Sequence, residues 1–297
     1  IHRAFKSLPY DMQTHDHVIM VALENDGGMI IEKDRTGFYR ANKRYVMQAI
    51  RCHTLWIRYA CPTMYADKEV ILCYLGSLVR ILDRYEVTRG YHSGDVTWIL
   101  SKVPAPFLRD RDIAMAAVKA DGTSLKRFSD DLQHDRVLVH IAVNSSALAL
   151  RDVLPKFRQD MDIVLAAVQK YPTALQFAAT HLRRDRHIVE EAIKKDGTTL
   201  QFADDVLKND SMLAIRAIGQ NPRAYHHISY ELNKSPTLVL LAATKCPQVL
   251  RSAPHEVRSN RELMAAIIST HEVVDNIGPY DSGCSSQYAI AYINHYL

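Results

Sequence analysis

No stretch of this 297-residue chain holds the roughly 18 consecutive apolar residues that a membrane-spanning helix needs, so no crossing of a bilayer is expected. Charge of one sign is scarce too. There are 37 basic and 33 acidic residues, a net of +4, too small an excess to announce a nucleic-acid partner by itself. Cysteine is sparse and poorly spaced. Cys52, Cys61, Cys73, Cys246 and Cys284 form an odd set without a CxxC pair, which argues against a disulfide framework and against structural zinc. A reducing compartment is expected, the cytoplasm or an organelle interior. The chain opens on Ile1 rather than Met, as a fragment or processed product would. Arg3 and Lys6 precede the first acid, Asp11, but the apolar core of a secretory signal is missing, so the compartment could follow removal of an upstream targeting peptide.

Catalytic signatures are absent as well. The chain has no Gly-x-Ser-x-Gly elbow, no Gly-rich phosphate loop and no dinucleotide fingerprint. Cys284, Ser285, Ser286 and His295 lie near one another in sequence, but Gly278 to Gly283 reads as a loop before a capping helix. Neither His15/His17 nor His226/His227 has a cysteine or carboxylate at zinc-like spacing. The acidic pairs Asp130-Asp131 and Asp204-Asp205 are sequence neighbours, so on a helix they point about 100° apart and cannot converge on one ion. No catalytic residue, metal or cofactor is expected, and the chain is expected not to be an enzyme.

What the chain does have is repetition. "DGTSLKRFSDDL" at Asp121 returns as "DGTTLQFADDVL" at Asp196, 75 residues on, or three steps of 25. A 25-residue comb starting at Asp110 meets Asp135, Asp160, Asp185, Asp210, Ser235, Asn260 and Ser285, all preferred helix N-caps. Three residues later come Ile113, Leu138, Ile163, Ile188, Leu213, Leu238, Leu263 and Tyr288. Seven later come Ala117, Ala142, Ala167, Ala192, Ala217 and Ala242, and eight later Val118, Val143, Val168, Ile193, Ile218, Ala243, Ile268 and Ile293. Those offsets trace one face of a helix, and the run of alanines suits two backbones in close approach. Breaker pairs follow: Asp121-Gly122, Tyr171-Pro172, Asp196-Gly197, Asn221-Pro222 and Cys246-Pro247. A second apolar pair of columns, Leu125 to Leu250 and Leu132 to Val257, predicts a second helix of about ten residues in each unit.

The comb continues upstream with slips. Asn42 to Asp67 is one clean step, an earlier unit begins at His15 with two extra residues near "KDRTG", and 18 extra residues lie between Asp67 and Asp110. The expectation is an all-α protein, an α-solenoid of tandem 25-residue helix-turn-helix repeats in one continuous array. Residues 1–109 are irregular repeats carrying the insertion, 110–284 are regular repeats, and 285–297 form a C-terminal capping helix. The pattern D-R-x-I-V-x-x-A-I-x-x-D-G-x-x-L-x-x-A at Asp185–Ala203 closely resembles the tandem repeats of domain-of-unknown-function family 4116, most strongly from Asp110 to Asp210. That resemblance implies a helical-repeat fold. It carries over no catalytic residue, because the family has no established activity.

Two surfaces stand out. The insertion "RYEVTRGYHSGD" offers Arg84, Tyr85, Arg89, Tyr91 and His92, of the kinds that anchor protein interfaces, beside an N-terminal region rich in Trp and Tyr. Lys126, Arg151, Arg158, Arg183, Lys208, Arg251 and Arg258 recur at two fixed repeat positions, seven residues apart, and would form a mildly basic ridge. The first suits a scaffold that binds protein partners within a larger assembly. The second suits the alternative, an RNA-binding repeat that reads its ligand through polar residues at fixed positions.

Overall fold

Each repeat begins where a short polar side chain turns the chain into a helix. Asp110 accepts from the N–H groups of Asp112 and Ile113 at 2.9 and 3.2 Å, and Asp135, Asp160, Asp210, Asn42 and Asp67 cap their helices in the same way, each through two first-turn amides. Asp185 caps through Ile188 and Asn260 through Leu263. Ser235 does not cap: Pro236 follows it, and its hydroxyl lies 2.9 Å from that of Thr237. Ser285 and the expected capping helix lie outside the described residues.

The computed structural model describes residues 7, 9–26, 29–32, 34, 36–85 and 93–275. Among them there is no β-strand. The first helices are α1 (Asp16–Asp26), α2 (Lys43–Cys52), α3 (Lys68–Tyr85), α4 (Arg111–Ala120) and α5 (Arg136–Ser145), then α6 (Met161–Lys170), α7 (Arg186–Lys195), α8 (Ser211–Gln220), α9 (Pro236–Ala243) and α10 (Arg261–Asp275). The chain divides into two compact units, Ile1–Leu154 with α1 to α5 and Pro155–Leu297 with α6 to α10.

Within each unit, the columns set by the comb form the core. Every alanine from Ala117 to Ala242 is fully buried, as are Ile113, Leu138, Ile188 and Leu213. An additional buried column lies four residues past each cap, with Ala114, Val139, Val164, Val189, Ala214 and Val239. The insertion lengthens α3 to 18 residues, and there a buried tyrosine, Tyr74, takes the alanine position. The two extra residues upstream belong to a turn wound around one carboxylate. Asp34 accepts from the N–H groups of Thr36, Gly37, Tyr39 and Arg40 at 2.7 to 3.1 Å, and Gly37 supplies the left-handed φ of 80°. Burial alone would raise the Asp34 pKa, but these donors outweigh it and hold it below the usual aspartate value.

The second half of the repeat is not one ten-residue helix. It is typically a six-residue 3-10 helix, two extended residues and then a four-residue α-turn, as in Pro172–Phe177, Ala178–Ala179 and Thr180–Arg183. The same break recurs at Phe128, Val153, Ala203, Ile228 and Ala253, all extended and all buried. At most of these breaks a backbone bond leaves the repeat, and at Ala253 a proline, Pro254, follows instead. Ser129 N–H donates to Leu108 C=O, Ala179 to Arg158, Asp204 to Arg183, Ser229 to Lys208, and Cys61 to Arg40, each at 2.9 to 3.0 Å and each 21 residues back. An amide committed to the preceding repeat cannot continue its own helix, so the arm breaks and the stack is tied instead.

Two further ladders join neighbouring repeats. A cation one residue past four of the N-caps reaches the next repeat's capping aspartate: Lys43–Asp67 (2.9 Å), Lys68–Asp110 (2.7 Å), Arg111–Asp135 (2.9 Å) and Arg186–Asp210 (2.6 Å). At the other end of the first helices, side chains of Ser145, Lys195 and Lys245 donate to the final carbonyls of the preceding helix, those of Lys119, Gln169 and Gly219. Cations there also suit the negative end of the helix dipole.

Candidate interaction surface

The repeated dodecapeptide caps and seats the second arm. Asp121 Oδ1 accepts from Thr123 N–H at 2.9 Å and from the Thr123 hydroxyl at 2.8 Å, and Asp196 holds Thr198 likewise at 3.0 and 2.7 Å. Where the cap is missing, at Tyr171 and Cys246, a proline follows and no first amide needs a partner. The glycine is required by proximity. A Cβ on Gly122 would lie 2.0 Å from Ala142 O, and one on Gly197 2.1 Å from Ala217 O, so the arm rests directly on the next repeat's alanine column.

This arm carries the basic positions. The residues expected to share one helical face, seven apart, lie on separate elements on either side of the break, and their environments differ. Lys126 and Arg251 are exposed on 3-10 helices and Arg151 on the short α-helix Ala149–Asp152; Arg158, Arg183, Lys208 and Arg258 are half-buried on the α-turns. Much of the exposed charge is paired. Asp152 accepts from Lys126 Nζ at 2.8 Å and from Arg151 Nε at 3.0 Å. Burial pushes its carboxyl upward, but the two cations prevail and lower its pKa. Lys208 pairs with Asp205 at 3.1 Å. Arg158 and Arg183 differ: the Nε of each is enclosed and has no hydrogen-bond partner. Residues at the exposed position touch the following repeat, for His226 Nδ1 lies 2.6 Å from Ser252 Oγ. Burial lowers the pKa of His226 and of His227, with nearby cations adding to it.

The insertion candidates divide at the edge of the described residues. Arg84 and Tyr85 form the last residues of α3 but their side chains are not described, and Arg89, Tyr91 and His92 lie outside the described residues. The helix Ser93–Leu100 that follows them contributes Trp98 to a cluster with side chains of Thr54–Tyr59 and Pro62–Ala66. The Arg58 guanidinium stands 5.0 Å over the Trp98 ring and donates to Asp95 Oδ1 at 3.1 Å. Tyr65 meets Trp98 edge-on at 6.0 Å, with its hydroxyl on Ile57 C=O at 3.1 Å, and Trp56 packs on Tyr59 at 5.7 Å. Tyr74, by contrast, is core, and burial raises its pKa.

Some exposed apolar residues escaped the sequence reading. Val137 and Met212 are 54% and 53% exposed, both two residues past an N-cap. A position tabulated across repeats would have found them, because Asp112 and Asp162 occupy the same offset elsewhere. Among the described residues no helix is long and apolar enough to cross a membrane, and no group of three His, Cys, Asp or Glu side chains is placed to hold a metal ion.

Comparison with curated proteins gave no match, and neither did comparison with solved structures. One family model does match, "Domain of unknown function (DUF4116)", over residues 110–153, 135–183 and 185–233. Each match spans close to two of the 25-residue repeats. Residues 110–233 are thus similar to tandem copies of this family, the one that the Asp185–Ala203 pattern resembles.

Proposed function

We propose that the chain is a non-catalytic helical-repeat scaffold that binds protein partners as a structural subunit of a larger intracellular assembly. The observation that carries this reading is the Arg58–Trp98–Tyr65 cluster, in which Trp98 lies on the helix that follows the Arg84–His92 stretch. Tyr, Trp and Arg are the side chains that most often dominate interface energetics, and all three of these are partly accessible. Repeat stacks suit scaffolding because each added unit extends surface without enlarging a core.

The RNA-binding alternative draws on the basic positions of the second arms. It is weakened where Lys126, Arg151 and Lys208 are paired with carboxylates, since phosphate tracking needs cations free to release counterions. Replacing residues 86–92 with a glycine-serine linker of equal length separates the two readings. The scaffold reading expects unchanged helicity, because repeat contacts are nearest-neighbour, and a weakened partner complex. An Arg151, Arg158 and Arg183 triple substitution that abolishes the native complex, while the linker variant keeps it, would sink the scaffold reading.

A further inference from the structure

Arg158 and Arg183 occupy the same position in consecutive repeats of the second unit. Both are half-buried, and each Nε is closed off from solvent without a hydrogen-bond partner. Neither guanidinium meets a carboxylate among the described residues, and only its Nε is enclosed, so two unpaired cations in register leave their terminal nitrogens open to an acidic group from outside the chain. The equivalent residue in the first unit shows that the position does not impose this. Gln133 turns its amide back onto Phe128 C=O at 2.8 Å and satisfies itself. Lys208, one repeat further, pairs with Asp205.

The backbone of each arginine is tied to the next repeat. The Arg158 carbonyl accepts from Ala179 N–H at 2.9 Å, two residues past the half-buried Phe177, and the Arg183 carbonyl from Asp204 N–H at 3.0 Å, two past the half-buried Phe202. The same tie thus fixes the two arginines one repeat apart. Packed helices are spaced about 10 Å apart, and an extended chain advances about 3.3 Å per residue. We infer that this row binds an extended acidic segment of a partner protein, with carboxylates three residues apart meeting Arg158 and Arg183. This rests on the scaffold reading and gives its partner a chemistry. A nucleic acid fits less well, because a long polyanion continuing along the arms would meet the exposed carboxylates of Asp205 and Glu231.

The test is fluorescence anisotropy with the full chain and three labelled probes of matched length. They are a (Glu-Gly-Ser) repeat peptide, its (Gln-Gly-Ser) counterpart and an oligouridine. The proposal expects binding of the glutamate peptide, at least tenfold weaker binding of the glutamine peptide, and a tenfold or greater loss in an Arg158→Gln/Arg183→Gln double variant with an unchanged melting temperature. An Arg158→Lys/Arg183→Lys variant should retain an intermediate affinity, since it keeps the charge and loses the planar fork. Equal binding of the two peptides, an unaffected double variant, or oligouridine binding more tightly through the same arginines would overturn it. The native partner complex separates this idea from the scaffold reading. A complex that survives in the double variant removes the arginine assignment alone, whereas a chain that assembles with no protein removes the scaffold reading.

Discussion

A methyl group added at Gly197 would meet the Ala217 carbonyl at 2.1 Å, whereas one added at Gly219 would meet nothing within 4 Å. The two glycines therefore give opposite expectations. Gly197→Ala must push the second arm off the next repeat's helix and should destabilise by about 1–3 kcal/mol. Gly219→Ala, inside α8, should be neutral or stabilising by up to about 1 kcal/mol. Urea unfolding of the two variants checks the pair; equal shifts would mean that the arm does not sit where the structure places it. Ala167 makes the same point inside the core. It is fully buried, so Ala167→Phe should cost on the order of 1–3 kcal/mol, and an unchanged melting temperature would place that column at the surface.

At the scale of the element, the capping aspartates give the fold a pH dependence. For Asp67, Asp110, Asp135 and Asp210, burial would raise the pKa, but a cation from the preceding repeat and two amide N–H groups outweigh it and lower each one. A lowered folded-state pKa adds stability above the unfolded value, near 4, which is lost as pH falls through the folded value. The urea midpoint should therefore hold from about pH 7 to 5 and drop below about pH 4. Asp110→Asn should flatten that drop; an unchanged slope would show that the ladder contributes nothing to it. The tie between arms has its own test. Ala179 has φ −61° and Ala178 is extended, and Pro104 and Pro254 already hold the equivalent place in other repeats. Ala179→Pro removes the bond to Arg158, a loss of about 0.5–1.5 kcal/mol, and gains about 0.4–1 kcal/mol from a stiffer unfolded chain. The net change in urea should stay within about 1 kcal/mol; a loss of several would give the tie a larger role than a single hydrogen bond.

These elements also show what the sequence could and could not disclose. First helices were readable because caps and apolar columns repeat at 25 residues and obey one helical period. The second arm misled, because Leu175 and Leu182, seven apart, suit a continuous helix as well as a broken one. The deciding signal was present but unread: Phe128, Val153, Ala178, Ala203, Ile228 and Ala253 form an apolar column between those two. The bond that ties most of these breaks to the preceding repeat comes from a main-chain amide, which no side-chain pattern records. For the same reason the basic positions looked like one ridge, although Arg158 and Arg183 differ sharply from Lys126 and Arg151 in burial and pairing.

For the whole molecule, the two units share one repeat but present different surfaces: an aromatic and arginine cluster beside the insertion in the first, and the Arg158–Arg183 row in the second. In the proposed scaffold reading, both surfaces would meet protein partners. The central claim is that the assembled species is held by protein. The most direct measurement is the native mass of the complex recovered from its source, before and after ribonuclease and deoxyribonuclease treatment. The account predicts a mass well above that of the 33.8 kDa chain, unchanged by nuclease and reduced when residues 86–92 are replaced by a linker. A complex that collapses to the free chain on nuclease treatment, and is untouched by the linker replacement, would contradict it.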